Sequence, residues 1–512
     1  AGEGVTEAEF LTWLSRLVEK SFLSAEHGEF EARYSLLETL RHYGAEKLAA
    51  AGETAPTRNL HLGYFLDLAE SAEEPLMGPE QGRWLDRLEA DHDNLRTAAS
   101  WSLEQGSFEV AQRLASALSR YWEIRGHLSE GGRFLETALA GSSPPAVRAK
   151  ALRSASRLGL FRGDYNQARL YAEESLRIDE SLGDAKGRAR SIQSLANVSL
   201  ARGDYGEAES LYRDALEIQR GSGDDRGAAV TLANLGVVAW GRGDYPEAEG
   251  LYQQALEIQR GIGDIRGVAA SLNNLGVLMQ TQGKLADGRS LFEEALEYQR
   301  KVGDRRGIAA ALGNLGNIAH NLGDFEGAHR LYEEALEIQR DLAEKHGCAE
   351  SLVNLGNVSR DLGNLALARE RLEEGLVVAR EIEEKKAMAA ALTGLGDLAR
   401  SEQRLSDAEP LLAEALRLHH ELGDRRGIVD DLESIALIAT TRGEHTFAAR
   451  LLGAAEAARE EIGAPIPPSQ QGSYDDGVQD IRRALGAEFE NAWKSGRDTS
   501  LEDAVDLSLR GL

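Results

Sequence analysis

An all-α solenoid of stacked 40-residue helix-turn-helix units is the fold class this sequence predicts, and three observations predict it. Asn-Leu-Gly at 234–236 recurs at 274–276, 314–316 and 354–356, always 40 residues on. A fixed period in the range of roughly 20–50 residues marks a repeat array. Turn signals keep the same register: Gly163-Asp164-Tyr165, Gly203-Asp204-Tyr205, Gly243-Asp244-Tyr245, Gly323-Asp324-Phe325 and Gly363-Asn364-Leu365, with weaker copies at 283–285, 403–405 and 443–445. A second turn per unit falls at Gly183, Gly223, Gly263, Gly303 and Gly423, each followed by Asp. Glycine ends a helix because it takes a left-handed conformation without a Cβ clash, and the Asp is positioned to cap the next helix. Two turns per unit leave two helices of about 15 residues, roughly 22 Å long.

The core positions follow from the period. Leu195, Leu235, Leu275, Leu315, Leu355, Leu395 and Ile435 are the expected buried knobs of the first helix, and a small residue always follows: Ala196, Gly236, Gly276, Gly316, Gly356, Gly396 and Ala436. A mid-helix glycine costs about 1 kcal/mol relative to alanine, so its recurrence predicts helices that nearly touch there. In the second helix Ala168, Ala208, Ala248, Ala328, Ala368 and Ala408 predict the same close approach. Tyr212, Tyr252, Phe292 and Tyr332 stand beside Ala215, Ala255, Ala295 and Ala335. Leu-Gly in one helix, then Ala, aromatic, Ala in the next, resembles the tetratricopeptide signature, and the 40-residue unit resembles that of kinesin light chains. The resemblance implies a right-handed superhelix with the first helix of each unit inside. No unit buries its apolar face alone, so neighbours must stack.

Four regions are expected. Residues 1–54 read as the end of a winged helix: a helix through Phe10, Leu11, Leu14, Leu17 and Val18, a strand pair turning at His27-Gly28, and a helix carrying Leu37, Leu40, Tyr43 and Leu48. Residues 55–148 read as a helical linker with degenerate repeats, in which Trp84, Leu85, Leu88 and Leu95 share a helix face and Gly106 and Gly126 mark turns. Residues 149–444 hold the regular repeats. Residues 445–512 read as a cap: an Ala-rich helix over 446–461, a proline break, and helices near 473–494 and 500–510.

The phrases at 17–24, 33–48, 78–101 and 121–139 resemble a large bacterial family, the STAND-class signalling ATPases that include LuxR-like and SARP-like transcriptional regulators. The phrases at 450–468 and 500–505 resemble the end of the same regulators. In that family an ATPase domain, a winged helix, a helical linker and tetratricopeptide repeats follow in order. The resemblance implies a sensor module whose inducer relieves autoinhibition of an upstream ATPase. No Gly-x-x-x-x-Gly-Lys-Ser/Thr loop occurs: Gly283-Lys284 is followed by Leu285 and lacks the upstream glycine, so it cannot cradle phosphates. The chain begins Ala1-Gly2-Glu3-Gly4 and reads as a piece of a longer protein.

Composition narrows the function classes. A net charge of −27 is a poor match for nucleic acid, whose binders cluster Lys and Arg against phosphates. The single cysteine, Cys348, supports neither a disulfide framework nor a thiolate metal site, which fits a reducing cytoplasm. No apolar run reaches the roughly 18–20 residues of a membrane span. Catalytic constellations are missing, so no enzyme, cofactor or metal is expected. His419 and His420 are adjacent and point about 100° apart on a helix, which prevents them from sharing a metal.

The candidate site is the concave groove. On the first helices Asn234, Asn274, Asn314 and Asn354 form a ladder. Asn197, Asn317, Asn357 and Asp397 lie on the same face three residues on, with Val237 and Val277 between. One turn further come Trp240, Gln280, His320, Arg360 and Arg400. Asparagine both donates and accepts, so it can pair with an extended peptide backbone. The ladder matches the position that heat-shock co-chaperones of the tetratricopeptide class use to hold a peptide. Their clamp lysines are absent, so Arg360 and Arg400 are the candidates for an acidic group and Trp240 for an apolar contact. The expected partner is a peptide, protein or small-molecule inducer. The alternatives are turn-capping or repeat-to-repeat bonding by the same asparagines, a constitutive scaffold, and a regulator fragment contacting DNA, which the charge disfavours.

Overall fold

The computed structural model describes residues 6–27, 32–77 and 80–511. Gly28 of the expected hairpin turn, residues 1–4 and the first two residues of the 78–101 phrase lie outside the described residues. The chain opens with α1 (Glu7–Glu19), an antiparallel pair β1 (Leu23–His27) and β2 (Ala32–Leu36) in register from Leu23 opposite Leu36 to His27 opposite Ala32, and α2 (Glu38–Ala51). This is the expected helix, hairpin, helix order. Among its described residues none is buried, and Phe10, Leu11, Trp13, Tyr34 and Tyr43 are exposed.

A helical block follows: α3 (Thr54–Ala72), α4 (Gln81–Ala90), α5 (His92–Glu104), α6 (Phe108–Arg125) and α7 (Leu128–Leu139). Leu85, Leu88 and Leu95 are all buried, but they do not share one helix as expected. The chain breaks at Asp91, so Leu95 belongs to α5 while Trp84, Leu85 and Leu88 belong to α4.

The regular array comprises, among the described residues, eight helix pairs: α8 (Pro145–Phe161) and α9 (Tyr165–Leu182), α10 (Ala185–Ala201) and α11 (Tyr205–Gly221), α12 (Asp225–Gly241) and α13 (Tyr245–Gly261), α14 (Ile265–Thr281) and α15 (Leu285–Val302), α16 (Arg305–Asn321) and α17 (Phe325–Asp341), α18 (Lys345–Asp361) and α19 (Leu365–Glu381), α20 (Lys385–Ser401) and α21 (Leu405–Leu422), α22 (Arg425–Thr441) and α23 (His445–Ile462). Asp224, Asp244, Asp264, Asp304, Asp324, Asn364 and Asp424 cap the next helix by accepting from a backbone N–H three residues on. Asp164, Asp184 and Asp204 hold the same position without that bond.

The expected knobs Leu195 to Ile435 are buried. The reason for the small residue after them is more specific than two touching backbones. A Cβ on Gly236 would lie 2.5 Å from the Tyr252 ring, on Gly276 2.6 Å from Phe292, on Gly316 2.6 Å from Tyr332, on Gly356 2.5 Å from Leu372 and on Gly396 2.7 Å from Leu412. Each glycine receives the large side chain of its own unit's second helix.

α23, the Ala-rich helix expected to open the cap, instead packs on α22 as the second helix of the last pair, and after it come α24 (Pro468–Leu485), α25 (Phe489–Arg497) and α26 (Leu501–Gly511). Three helices thus replace the two expected, because the chain turns sharply at Gly486 (φ 52°, ψ −119°). α25 packs so closely on α23 that Gly453 and Gly496 each face the other helix's backbone.

Successive turns of the superhelix meet. Arg306 at the start of α16 donates to Glu123 of α6 at 3.2 Å, and Leu342 is buried in the core of the N-terminal helical block. At the other end the Tyr245 hydroxyl donates to the Ile462 carbonyl at 2.8 Å, and Pro465 lies against Gly283.

Gly316→Leu should lower stability by about 1–3 kcal/mol through overpacking against Tyr332. Gln403→Gly should raise it by about 1 kcal/mol, because Gln403 holds φ at 61°, a left-handed value that strains a residue with a Cβ. Urea unfolding followed by circular dichroism checks both.

Candidate functional site

The inner face can be identified from packing. Successive first helices approach one another directly, as α8 does α10, α12 does α14 and α18 does α20, whereas successive second helices are held apart by the first helix between them. The first helices therefore lie on the tighter, concave side. The outer side opens into crevices: one of about 230 Å³ between α5 and α7, floored by Leu118 and Trp122, and one of about 360 Å³ between α15 and α17.

Every predicted site residue sits on a first helix, and the structure divides them by what they already bond. Asn317 accepts from the Tyr332 hydroxyl at 2.7 Å, and Asn197 accepts from Tyr212 at 2.5 Å. These two satisfy a buried phenol whose ring fills the space beside the unit's small residue. Where the partner is Phe292, the same place holds Val277. Asn357 faces Leu372 rather than a tyrosine, and its amide oxygen is buried without a partner among the described residues. Asn314 donates to Asn273 of the preceding repeat at 2.9 Å.

The C-terminal half of the predicted set forms an ionic chain. His320 contacts Asp361 at 2.7 Å, Arg360 donates to Asp361 at 3.1 Å and to Asp397 at 3.2 Å, and Arg400 lies 3.6 Å from Asp397. Burial works against the charges, raising Asp361 and lowering Arg360. The mutual ion pairs more than offset this, so Asp361 ends below its ordinary value and Arg360 above. Arg360 and Arg400, expected to receive an acidic group from outside, face carboxylates of the protein itself.

The remaining residues lie over α12 and α14. Asn234, Asn274 and Gln280 are partly buried and make no side-chain hydrogen bond among the described residues, as does Asn354 further along. Val237 and Val277 lie between them. Trp240 is 39 % exposed, and its indole N–H donates to Thr281 at 3.3 Å. Val230, one helical turn before Asn234, is also exposed. Sequence reasoning passed over Val230, Asn273, Thr281 and Asp361; reading the 40-residue register one column to either side would have exposed the last three, while Val230 lies one helical turn before the Asn234 column.

His419 is a buried core residue. It contacts Asp431 at 2.7 Å, and Thr393 donates to the other Asp431 oxygen at 2.6 Å. Other units place neutral pairs here, Gln219 with Thr231 and Gln259 with Ser271. Burial pushes Asp431 up to about 6 against the opposing His419 and Thr393 bonds. Burial alone would lower His419, but the Asp431 hydrogen bond and the surrounding aspartates leave it raised. Among the described residues no group of three or more His, Cys, Asp or Glu is placed to hold a metal, and no helix is long and apolar enough to cross a membrane.

The tetratricopeptide repeat model matches residues 188–261, 267–341 and 347–421. The array is a tetratricopeptide-repeat solenoid. A stretch of 158 residues is 38 % identical to proteins assigned as HTH-type transcriptional regulators in Mycobacterium tuberculosis and Mycobacterium bovis. It covers 30 % of this chain and only 18 % of the relatives' length. Among solved structures, a STAND protein with a tetratricopeptide repeat sensor from Pyrococcus horikoshii is 17 % identical, with 70 % of this chain and 55 % of that one covered at a TM-score of 0.42. The Rap conjugation gene regulator of plasmid pLS20, solved with the Phr* peptide, is 16 % identical, with 74 % and 99 % covered at a TM-score of 0.48.

Asn317→Ala should destabilise the array by about 1–3 kcal/mol by leaving the Tyr332 hydroxyl unpaired, whereas Asn354→Ala should change it by less than about 0.5 kcal/mol. Denaturant titration separates the two. For His419 and Asp431 both folded values exceed the ordinary 6.5 and 3.8, so the folded state holds protons more tightly than the unfolded chain. Their stabilising contribution is complete at acid pH. It falls as pH rises from 3.8 to about 6 for Asp431, and again above 6.5 for His419. The double change His419→Gln with Asp431→Thr, which restores the neutral pair, should flatten the stability–pH slope by on the order of 1 kcal/mol between pH 5 and 8, as read by thermal unfolding.

Proposed function

We propose that this chain is the sensor module of a larger signalling regulator, and that it binds an extended peptide on the concave face over α12 and α14. One observation carries the reading. Along the inner face the fold pairs its own charged groups from His320 to Arg400, leaving only Asn354 and Asn357 unbonded there, whereas over α12 and α14 Asn234, Asn274 and Gln280 stand together unbonded among the described residues beside Trp240, Val237 and Val277. Amides that donate and accept suit a peptide backbone whatever its side chains. The flanking valines and indole offer apolar contact, and a groove with a few oriented polar groups on an apolar lining is the usual form of a ligand site.

The link to a larger regulator is supported by the stretch similar to HTH-type transcriptional regulators, which are several times longer than the aligned segment. In this reading the inducer relieves autoinhibition of an upstream ATPase. That requires the inducer to bind one state of the full protein better than the other, since equal affinity shifts nothing.

A pull-down from the native cytoplasm with the 512-residue chain as bait, followed by mass spectrometry of captured peptides, identifies the ligand. Calorimetry with that ligand then tests the site. Asn234→Ala with Asn274→Ala should weaken binding about tenfold or more, with thermal unfolding nearly unchanged. Trp240→Ala should weaken it by a similar factor. Unaltered affinity in both variants would remove the groove from consideration.

A further inference from the structure

The column of inner-face residues that holds Asn197, Val237, Val277, Asn317 and Asn357 continues into the N-terminal helices with a change of chemistry. Each of these residues stands six positions before the left-handed turn glycine that ends its helix. By the same count the column runs back through Arg157, before Gly163, to Arg120, before Gly126. Two arginines therefore sit one unit apart at the head of the concave face, in a chain of net charge −27.

Their partners do not match their number. Glu123, whose side chain is only 4 % exposed, accepts from Arg120 at 2.7 Å and from Arg306 at 3.2 Å. Arg306 also donates to Glu344 at 2.7 Å. Arg157 donates to the Ser119 hydroxyl at 2.8 Å, while its Nε stands 3.6 Å from Glu123, beyond hydrogen-bond distance. Three guanidiniums thus face two carboxylates. The Nε groups of Arg120 and Arg157 and one Glu123 oxygen are buried without a hydrogen-bond partner among the described residues. Unpaired buried donors are uncommon in native folds. Burial lowers the Arg157 pKa, Glu123 works against this, and the Arg120 charge lowers it further. Even so, the Arg157 side chain is 43 % exposed, so an anion has access to it.

We infer that Arg120 and Arg157 form a carboxylate-binding subsite at the N-terminal end of the concave face, which holds an acidic side chain or the C-terminus of the ligand. A carboxylate has the planar, two-oxygen form that a guanidinium fork grips in a bidentate manner, and it would neutralise the positive charge that Glu123 shares among three arginines. The subsite rests on the reading that a peptide lies over α12 and α14. From α8 to α12 is two units, about 20 Å at ordinary helix spacing, or roughly six residues of extended chain.

Calorimetry on the full chain tests it with citrate and with three acetylated glycine-serine hexapeptides: one ending in aspartate as the free acid, its C-terminal amide, and the free acid ending in asparagine. Citrate and the first peptide should bind at millimolar concentration or better. Arg157→Gln and Arg120→Gln should each weaken them about tenfold, with Arg157→Lys intermediate because it keeps the charge without the fork. Glu123→Gln should act in the opposite direction and tighten both severalfold, since it removes the competing carboxylate while Arg306 keeps Glu344. The amide and the asparagine peptide report whether the side chain or the terminus supplies the carboxylate. A purely structural ion cluster would make Glu123→Gln and Arg157→Gln alike, both lowering stability and neither changing affinity, and that result overturns the subsite. So does a wild-type chain that ignores citrate. Peptide binding that needs Asn234 and Asn274 but is indifferent to Arg157→Gln refutes the subsite and leaves the groove reading standing. Citrate binding that needs Arg157, with no peptide bound, supports the subsite and refutes the groove.

Discussion

The contact on which the array depends is between a glycine in the first helix and a large side chain in the second. At Gly236, Gly276 and Gly316 the ring of Tyr252, Phe292 or Tyr332 occupies the space a Cβ would need; at Gly356 and Gly396 a leucine does so. Ring burial and close helix packing are thereby obtained at one position. The helix-propensity loss, about 1 kcal/mol per glycine, is offset by burying an aromatic or leucine side chain, which contributes about 1.5–3 kcal/mol. Because the same geometry recurs every 40 residues, each unit is rotated on the last by a similar amount, and the accumulated rotation is the superhelix.

Curvature then separates the two faces. First helices crowd together on the inner side, while the outer ends of second helices splay and leave crevices such as those beside Trp122 and Ile318. Curvature also brings distant parts of the chain together. Leu342 completes the core of the N-terminal block, and Arg306 reaches Glu123. The end of α23 returns to Tyr245 and the segment after it to Gly283, immediately beyond Trp240 and Gln280.

The inner face shows how repeats can differ in side-chain chemistry without differing in fold. A single column carries Arg120 and Arg157, then Asn197, Val237, Val277, Asn317, Asn357 and Asp397. Where Tyr212 or Tyr332 stands opposite, its hydroxyl engages the asparagine, Asn197 or Asn317; opposite Tyr252 the column holds Val237. Where aspartate and arginine meet, as with Asp397 and Arg360, the charges neutralise one another. Of the polar members of this column, Asn357 alone makes no side-chain hydrogen bond among the described residues.

The period, the turn glycines and the buried leucines were determined by the sequence, because each depends on contacts within a unit or between adjacent units, and these repeat with the 40-residue register; that the first helices face inward was implied by the resemblance to tetratricopeptide arrays. The helix break at Asp91 and the division of the C-terminal cap at Gly486 were hidden, since both lie where the register is lost. The fate of the individual polar residues was also out of reach. Whether Asn317 is engaged, whether Arg360 is neutralised and whether Arg306 finds Glu123 depend on partners one unit away or a whole superhelical turn away. Only the accumulated rotation of the repeats sets those distances, so the tertiary structure alone decided which of the inward-facing residues remain available to a ligand.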